Sequence, residues 1–144
     1  MANHLCLELH QVDIKGTYLN GELNDNKVLY MHHPPGYKSR DAGNCMLCLK
    51  KTLYGLKQSG HRWYQKLSSI FDSLNFHKCS VDQAVFYKQN KSKNKVTVVA
   101  VHIDNCTITA SNLCLIKDFK AGLCKHVEVT DLGELHWMLG VEIK

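Results

Sequence analysis

The segment KVTVVAVHIDNCTITAS, residues 95–111, is the feature that most constrains the fold. A dense apolar and β-branched run ends at Ile103, and a second run begins at Cys106, with only Asp104 and Asn105 between them. β-Branched residues fit a pleated, half-buried surface. Two such runs joined by so short a connection predict neighbouring antiparallel strands. The chain therefore contains a sheet in which an acid lies at the end of a central strand.

Other strand signals lie on both sides of this hairpin. They are LELHQVDI (7–14), the start of VLYMHHPPGY (28–37), CMLCLKK (45–51), AVFYKQ (84–89) and VEVTDLGELHWMLGVEIK (127–144), the last as strand, turn and strand. The second of these must stop near Pro34, because proline cannot donate a hydrogen bond to a strand ladder. The polar segment GTYLNGELNDN (16–26) predicts a short helical turn or loop.

Two helices are predicted between the strands. Residues 59–76 place apolar side chains on one face at a period of 3.6 residues, and Asn112 is a suitable N-cap for a second helix over residues 113–127. The apolar positions are Trp63, Tyr64, Leu67, Ile70, Phe71 and Leu74 in the first helix, and Leu115, Ile116, Phe119 and Leu123 in the second. Strand hairpins with two interposed helices predict an α+β fold, one antiparallel sheet with helices packed on one face.

Composition limits the class of protein. A chain of 144 residues with 44% hydrophobic and 22% charged residues fits one globular domain with a core. No apolar run reaches the roughly 20 residues of a membrane helix, so no membrane association is expected. The net charge of +5 suits a polyanionic partner, although a basic domain without such a partner is equally compatible. The seven cysteines predict free thiols in a reducing compartment.

Two acids stand at strand ends. Asp13 ends the strand HQVDI, and Asp104 ends the strand VAVHI. If these strands are neighbours, both carboxylates project from one edge of the sheet, where they can bind Mg²⁺, a hard ion that prefers oxygen ligands. Two such ions can clamp the attacking and leaving oxygens of a phosphoryl transfer. The alternative is that each aspartate only caps a strand or turn.

Basic and aromatic residues alternate in LKKTLYGLKQSGHRWY, residues 49–64. Cations beside aromatic rings suit a nucleic-acid backbone and stacked bases. In the alternative interpretation Trp63 and Tyr64 belong to the core and the lysines form a solvated face. The sequence favours the core for these two aromatics and leaves Tyr54, beside Gly55, open between the two.

Other candidate sites have weaker support. Cys45 and Cys48 have the spacing of a metal knuckle, but no second pair follows at zinc-finger spacing. On a strand these two positions also point to opposite faces, which argues against zinc. The lysines of KQNKSKNK (88–95) are interpreted as a solubilising hairpin tip.

Several blocks occur in the order found in one family, and the chain resembles the reverse transcriptase of copia-type LTR retrotransposons from about Gln11 to Lys144. The blocks are QVDIKGTYLNGEL, VLYMHHPPGY, LKKTLYGLKQSGHRWYQKL, VHIDN and DLGELHWMLGVEIK. The resemblance implies the palm of a right-hand polymerase, an RNA-directed DNA polymerase. It also implies an intracellular location, in the cytoplasm, nucleus or a virus-like particle, with an RNA/DNA primer-template and deoxynucleotides as partners.

The resemblance assigns roles to individual residues. Asp13 matches the first catalytic aspartate, and Asp104 matches the first aspartate of the Tyr-Val-Asp-Asp box, so these two are the implied ligands of Mg²⁺ or Mn²⁺. Tyr18 matches the aromatic residue that crowds a ribose 2′-OH. The implied nucleotide-binding residues are Ile14, Gly16, Thr17, Tyr18, Tyr54, Gly55 and Gln58. The implied nucleic-acid-binding residues are Lys50, Lys51, Lys57 and Arg62.

The sequence also departs from the family pattern. Asn105 stands at the catalytic position of the second aspartate of the box, and His102 replaces the tyrosine. Gly60 replaces a proline, and Thr17 replaces an alanine. We expect a single palm domain over residues 1–144 that lacks most of the fingers, the thumb/connection region and RNase H.

Loss of one carboxylate charge beside a dication predicts a rate reduced by about 10²–10³-fold. We therefore expect polymerase activity to be absent or strongly impaired. The alternatives are a working palm completed by other polypeptides, a non-catalytic palm that binds nucleic acid or protein, and a decayed transposon remnant without a selected role. Uncovered palm surface also predicts self-association.

Overall fold

A six-stranded antiparallel sheet forms the centre of the computed structural model, which describes residues 7–23, 28–36, 46–90 and 95–143. The strands of this sheet are β1 (Leu9–Ile14), β4 (His77–Lys78), β5 (Val85–Asn90), β6 (Lys95–His102), β7 (Asn105–Ala110) and β8 (Val129–Glu134). Their spatial order is β4-β5-β6-β7-β1-β8. Strand β1 is therefore inserted between β7 and β8, although about 90 residues of chain separate it from β7.

The predicted central hairpin is formed by β6 and β7. Its register runs from Thr97 opposite Ala110 to His102 opposite Asn105, which leaves Ile103 and Asp104 as a two-residue turn. Ile103 has a φ of 57°. This left-handed conformation is uncommon for a β-branched residue, and it costs of order 1–3 kcal/mol where the surrounding structure imposes it. The tight turn places Asp104 directly beside the start of β7.

The core lies on one face of this sheet. Alternate side chains of the central strands are fully or almost fully buried, as strand periodicity requires; they are Val12, Ile14, Phe86, Thr97, Val99, Cys106, Ile108 and Ala110. Helix α1 (Ser59–Ser73) and helix α2 (Leu113–Cys124) contribute Phe71 and Phe119 to the same core. The Phe71 ring lies 4.4 Å from that of Phe86 and 5.6 Å from that of Phe119, measured between centroids.

Two compact units divide the chain. The first consists of residues 1–17 and 67–144 and contains the six-stranded sheet, and the second consists of residues 18–66. Within the second unit, β2 (Leu29–Met31) pairs with β3 (Leu47–Leu49), and a bridge joins Glu22 to Lys51. The first unit also holds a small hairpin of β9 (Trp137–Met138) and β10 (Val141–Glu142). Within the described residues, neither helix has the length and apolar composition needed to cross a bilayer.

The predicted α+β class, with its antiparallel sheet and two helices, is confirmed. Asn112 is the N-cap of α2, because its side-chain oxygen accepts a hydrogen bond from the Leu115 backbone N–H at 3.1 Å. The turn predicted within residues 16–26 is a 3₁₀ helix at Thr17–Asn20. Strand β4 was not predicted, since HK offers too short a pattern. Cys45 and part of the lysine-rich segment 88–95 lie outside the described residues.

Candidate functional site

Asp13, Asp104 and Asn105 meet at one end of the central sheet. Asp13 of β1 lies directly opposite Asn105 of β7 in the register. The carbonyl oxygen of Asp104 accepts a hydrogen bond of 2.8 Å from the backbone N–H of Ile14. Because Val12 and Ile14 are buried in the core, the intervening Asp13 points to the opposite face of the sheet, where it is half-buried. The two aspartates predicted to be neighbours are thus brought together.

The charges of the two aspartates also reach the buried thiol of Cys106. Burial of the Cys106 side chain, followed by the negative charges of Asp104 and Asp13, raises the pKa of its thiol to about 12. Both carboxylates therefore act on one buried group beneath the site. Lys15 lies near Asp13, with its Nζ 4.0 Å from Oδ2. The Lys15 side chain is 53% exposed, so this ion pair contributes little to the stability of the fold.

Asn105 connects the site to a residue that the sequence did not single out. The Nε2 of Gln11 donates a hydrogen bond of 2.6 Å to Oδ1 of Asn105. The Nδ2 of Asn105 in turn donates one of 2.9 Å to Oδ1 of Asp104. Gln11 precedes Asp13 by two residues, so strand periodicity places both side chains on the same face of the sheet. This spacing is the one signal in the sequence that could have identified Gln11.

The donor set fits one divalent ion better than two. Mg²⁺ is bound in proteins through one or two carboxylates together with water and substrate phosphates, which Asp13 and Asp104 can satisfy. In the part of the chain that is described, no cluster of three or more Asp, Glu, His or Cys side chains suits a metal. The side-chain oxygen of Asn105 already accepts the Gln11 hydrogen bond. The arrangement thus offers two carboxylates and one neutral amide.

The segment after Asp13 combines buried and accessible residues. Ile14 is 2% exposed and Thr17 is 1% exposed, and the Thr17 hydroxyl donates to the Ile14 carbonyl oxygen at 2.9 Å. Gly16 has a φ of 54°, a conformation that glycine adopts without steric cost. Ile14 and Thr17 therefore shape the turn through buried side chains, and the side chain of half-buried Tyr18 remains accessible.

Tyr18 and Tyr54 meet edge to face within the second unit, with ring centroids 5.0 Å apart at 70°. Thr52 fixes this contact, because its buried hydroxyl donates to the Tyr18 carbonyl oxygen and its backbone N–H donates to the Gly21 carbonyl oxygen at 2.9 Å. Tyr54 is 61% exposed, and Gly55 has a φ of 90°. Tyr54 thus presents an accessible aromatic face beside a tight turn.

Gly21 and Gly60 give a matched pair of glycine substitutions. A Cβ at Gly21 would lie 2.5 Å from the Thr52 hydroxyl oxygen, whereas a Cβ at Gly60 meets nothing within 4 Å. We expect Gly21→Ala to lower the free energy of unfolding by about 1–3 kcal/mol. Gly60→Ala, in the first turn of α1, is expected to raise it by about 0.5–1 kcal/mol. Urea denaturation measures both; a stability loss for Gly60→Ala equal to that for Gly21→Ala would contradict this geometry.

The predicted basic residues lie together in the second unit. Lys50, Lys51 and Lys57 are exposed. Arg62 is half-buried and donates through one guanidinium nitrogen to Oε1 of Gln65 at 3.1 Å. Gln58 is half-buried near the start of α1, where its carbonyl oxygen accepts from the Arg62 backbone N–H at 3.0 Å. Trp63 is 3% exposed, which confirms the interpretation that it is a core residue.

Comparison with known proteins identifies related sequences along nearly the whole chain. The profile of a family described as "Reverse transcriptase (RNA-dependent DNA polymerase)" matches residues 2–144. A Retrovirus-related Pol polyprotein from transposon TNT 1-94 of Nicotiana tabacum is 32% identical over 143 residues, which are 99% of this chain and 10% of the polyprotein.

Two further relatives come from other transposons. The Pol polyprotein from transposon RE1 of Arabidopsis thaliana is 32% identical over 136 residues, 94% of this chain and 9% of the polyprotein. The Transposon Ty1-NL2 Gag-Pol polyprotein of Saccharomyces cerevisiae is 29% identical over 142 residues, 93% of this chain and 8% of the polyprotein. The chain thus spans about a tenth of the length of these relatives.

Proposed function

Because the chain belongs to the reverse transcriptase (RNA-dependent DNA polymerase) family, in its copia-type retrotransposon branch, we propose that it forms the palm of an RNA-directed DNA polymerase. The observation that carries the proposal is the proximity of Asp13, on β1, to Asp104, in the turn between β6 and β7, beside the hydrogen bond from the Ile14 backbone N–H to the Asp104 carbonyl oxygen. The family prediction from the sequence blocks is confirmed, and the palm and its site residues are the proposal.

Asp13 and Asp104 are the residues that would hold Mg²⁺ or Mn²⁺. When bound, such an ion neutralises the charge that develops on a transferring phosphoryl group. The accessible pair of Tyr18 and Tyr54 offers aromatic surface for a nucleoside. The exposed lysines 50, 51 and 57 supply positive charge for a primer-template backbone.

The site is expected to work poorly, since a neutral amide stands in place of the third carboxylate. Asn105 brings no charge to the site, and its Nδ2 occupies one oxygen of Asp104 through a hydrogen bond. Both effects weaken the attraction of the site for a dication. The single observation of this amide-to-carboxylate contact also favours a second candidate function, a non-catalytic palm that binds nucleic acid.

Primer extension tests the proposal. The parent chain, Asn105→Asp and Asn105→Asp/Asp13→Ala are given a primer-template, deoxynucleotides and Mg²⁺ or Mn²⁺. We expect Asn105→Asp to add nucleotides at least 10²-fold faster than the parent, and we expect the Asp13→Ala change to abolish the addition. Binding of the same primer-template is measured in parallel between about 50 and 200 mM salt, where phosphate contacts lower the affinity as salt rises.

The outcomes separate the alternatives. Extension by the parent as fast as that by Asn105→Asp would overturn the impairment. Salt-dependent binding without extension by any variant would support the non-catalytic palm. Neither binding nor extension would contradict both functions and favour a remnant without a selected role.

We also propose that copies of the chain associate with one another. Several large apolar side chains of the described residues are more than half exposed, and three of them lie in the β9–β10 hairpin of the first unit: Trp137, Leu139 and Val141. Exposed apolar groups of this size favour association or a covering partner. The expected self-association stays a prediction.

A further inference from the structure

Asn105 can present either of two opposite chemistries to Asp104. Its Oδ1 and Nδ2 are nearly the same size, so shape does not decide which of them faces the carboxylate. If Nδ2 faces Asp104, the amide donates a hydrogen bond to the carboxylate and competes with a cation. If Oδ1 faces Asp104, the amide adds an oxygen ligand of the kind that hard cations prefer.

Gln11 and Asp104 together set the orientation of the Asn105 amide, since the Asp104 carboxylate can only accept a hydrogen bond from it. Gln11 lies opposite Thr107, and Asp13 lies opposite Asn105, so Gln11 and Asn105 are diagonal neighbours on the same face of the sheet. Such positions are about 7–8 Å apart, within reach of a long side chain. The Nε2 of Gln11 is a donor only, and it contacts Oδ1 of Asn105 at 2.6 Å. The other end of the amide, Nδ2, is thereby turned to Asp104 at 2.9 Å.

We propose that Gln11 is a positioning residue, which helps Asp104 to hold the amide of Asn105 in the orientation that opposes divalent-ion binding at Asp13 and Asp104. This inference rests on the proposed function, because it assumes that Asp13 and Asp104 form a metal site. Gln11 touches neither aspartate through this contact and acts only through residue 105. The consequence is that removal of Gln11 strengthens cation binding, whereas loss of a purely structural residue weakens binding or leaves it unchanged.

Manganese affinity, measured by electron paramagnetic resonance without nucleic acid or nucleotides, tests the proposal on the full chain. We expect Gln11→Leu to bind Mn²⁺ about two- to tenfold more tightly than the parent, because the loss of one hydrogen bond between neutral groups makes it easier for the Asn105 amide to turn its oxygen toward a bound ion. Gln89→Leu, an exposed glutamine of β5, is the matched control and is expected to leave the affinity unchanged.

A double-mutant cycle isolates the coupling between the two residues. Asn105→Ala removes the amide, so adding Gln11→Leu to Asn105→Ala is expected to have no further effect. An equal gain from Gln11→Leu in both backgrounds, or an affinity unchanged or lowered by Gln11→Leu in the parent, would overturn the proposal.

The side-chain amide signal of Asn105 gives an independent readout by nuclear magnetic resonance. We expect its Nδ2 protons, which donate to Asp104, to exchange faster in Gln11→Leu than in the parent, with or without metal. An unchanged exchange rate would overturn the role of Gln11. If no variant binds Mn²⁺ but the amide signal changes as expected, the proposed metal site fails and the positioning by Gln11 stands.

Discussion

Replacing Phe71 with alanine is expected to lower the free energy of unfolding by about 3–5 kcal/mol. The Phe71 side chain is fully buried at the junction of α1, α2 and the sheet. Its ring lies 5.8 Å from that of Phe76, 4.4 Å from that of Phe86 and 5.6 Å from that of Phe119. Truncation would lose the transfer free energy of the ring and leave a cavity among three aromatic neighbours, and the neighbours can refill it only in part.

Urea denaturation by linear extrapolation measures this loss. Val81→Ala is the control, since Val81 is 93% exposed and its truncation is expected to change the stability by less than about 0.5 kcal/mol. Phe71→Leu, which retains much of the volume, is expected to lose less than Phe71→Ala. A loss below about 1 kcal/mol for Phe71→Ala would mean that this aromatic cluster is not the core of the sheet unit.

The second large effect is expected at Asn105. Asn105→Asp should tighten Mn²⁺ binding by about 10²–10³-fold. A unit charge about 4 Å from a dication contributes roughly 8 kcal/mol at an effective dielectric constant of about 20. If a third to a half of this survives desolvation, about 3–4 kcal/mol remains, at about 1.36 kcal/mol for each tenfold change. The substitution also removes the amide that donates to Asp104.

Two controls separate these contributions in a Mn²⁺ titration. Asn105→Ala removes the amide without adding charge, and it should tighten binding far less than Asn105→Asp. Asn75→Asp adds the same charge at an exposed position outside the site, and it should leave the affinity unchanged. A gain for Asn105→Asp no larger than that for Asn75→Asp would show that residue 105 does not face the ion.

The pattern of apolar and polar residues along short segments predicted much of the fold and the centre of the candidate site. The β-branched runs around Asp104 defined the central hairpin, because a short polar connection between two such runs allows few other arrangements. The helical period of residues 59–74 marked Trp63 and Phe71 as core residues, and both are buried. The sequence predicted neighbouring positions for Asp13 and Asp104 on the condition that their strands, now β1 and β6, are neighbours. In the structure β7 lies between these strands, and Asp104 comes close to Asp13 because it lies in the β6–β7 turn.

What the sequence did not predict depends on contacts between distant residues. The role of Gln11 requires the register of β1 on β7, which is set by packing across about 90 residues of chain. The contact between Thr52 and the 3₁₀ helix spans 34 residues, and it places the Thr52 hydroxyl where a side chain at Gly21 would clash with it. Residue types alone do not specify such pairings, because many polar residues offer the same donors and acceptors.

Manganese binding by single aspartate variants tests the central claim, that Asp13 and Asp104 together form the metal site. The measurement uses the Asn105→Asp background, where binding is expected to be tightest, and compares Asp13→Asn and Asp104→Asn with Asp72→Asn, an exposed aspartate of α1. We predict that each of the first two weakens binding by at least about 10²-fold, whereas Asp72→Asn leaves it unchanged. Affinity retained by either Asp13→Asn or Asp104→Asn would contradict a shared site.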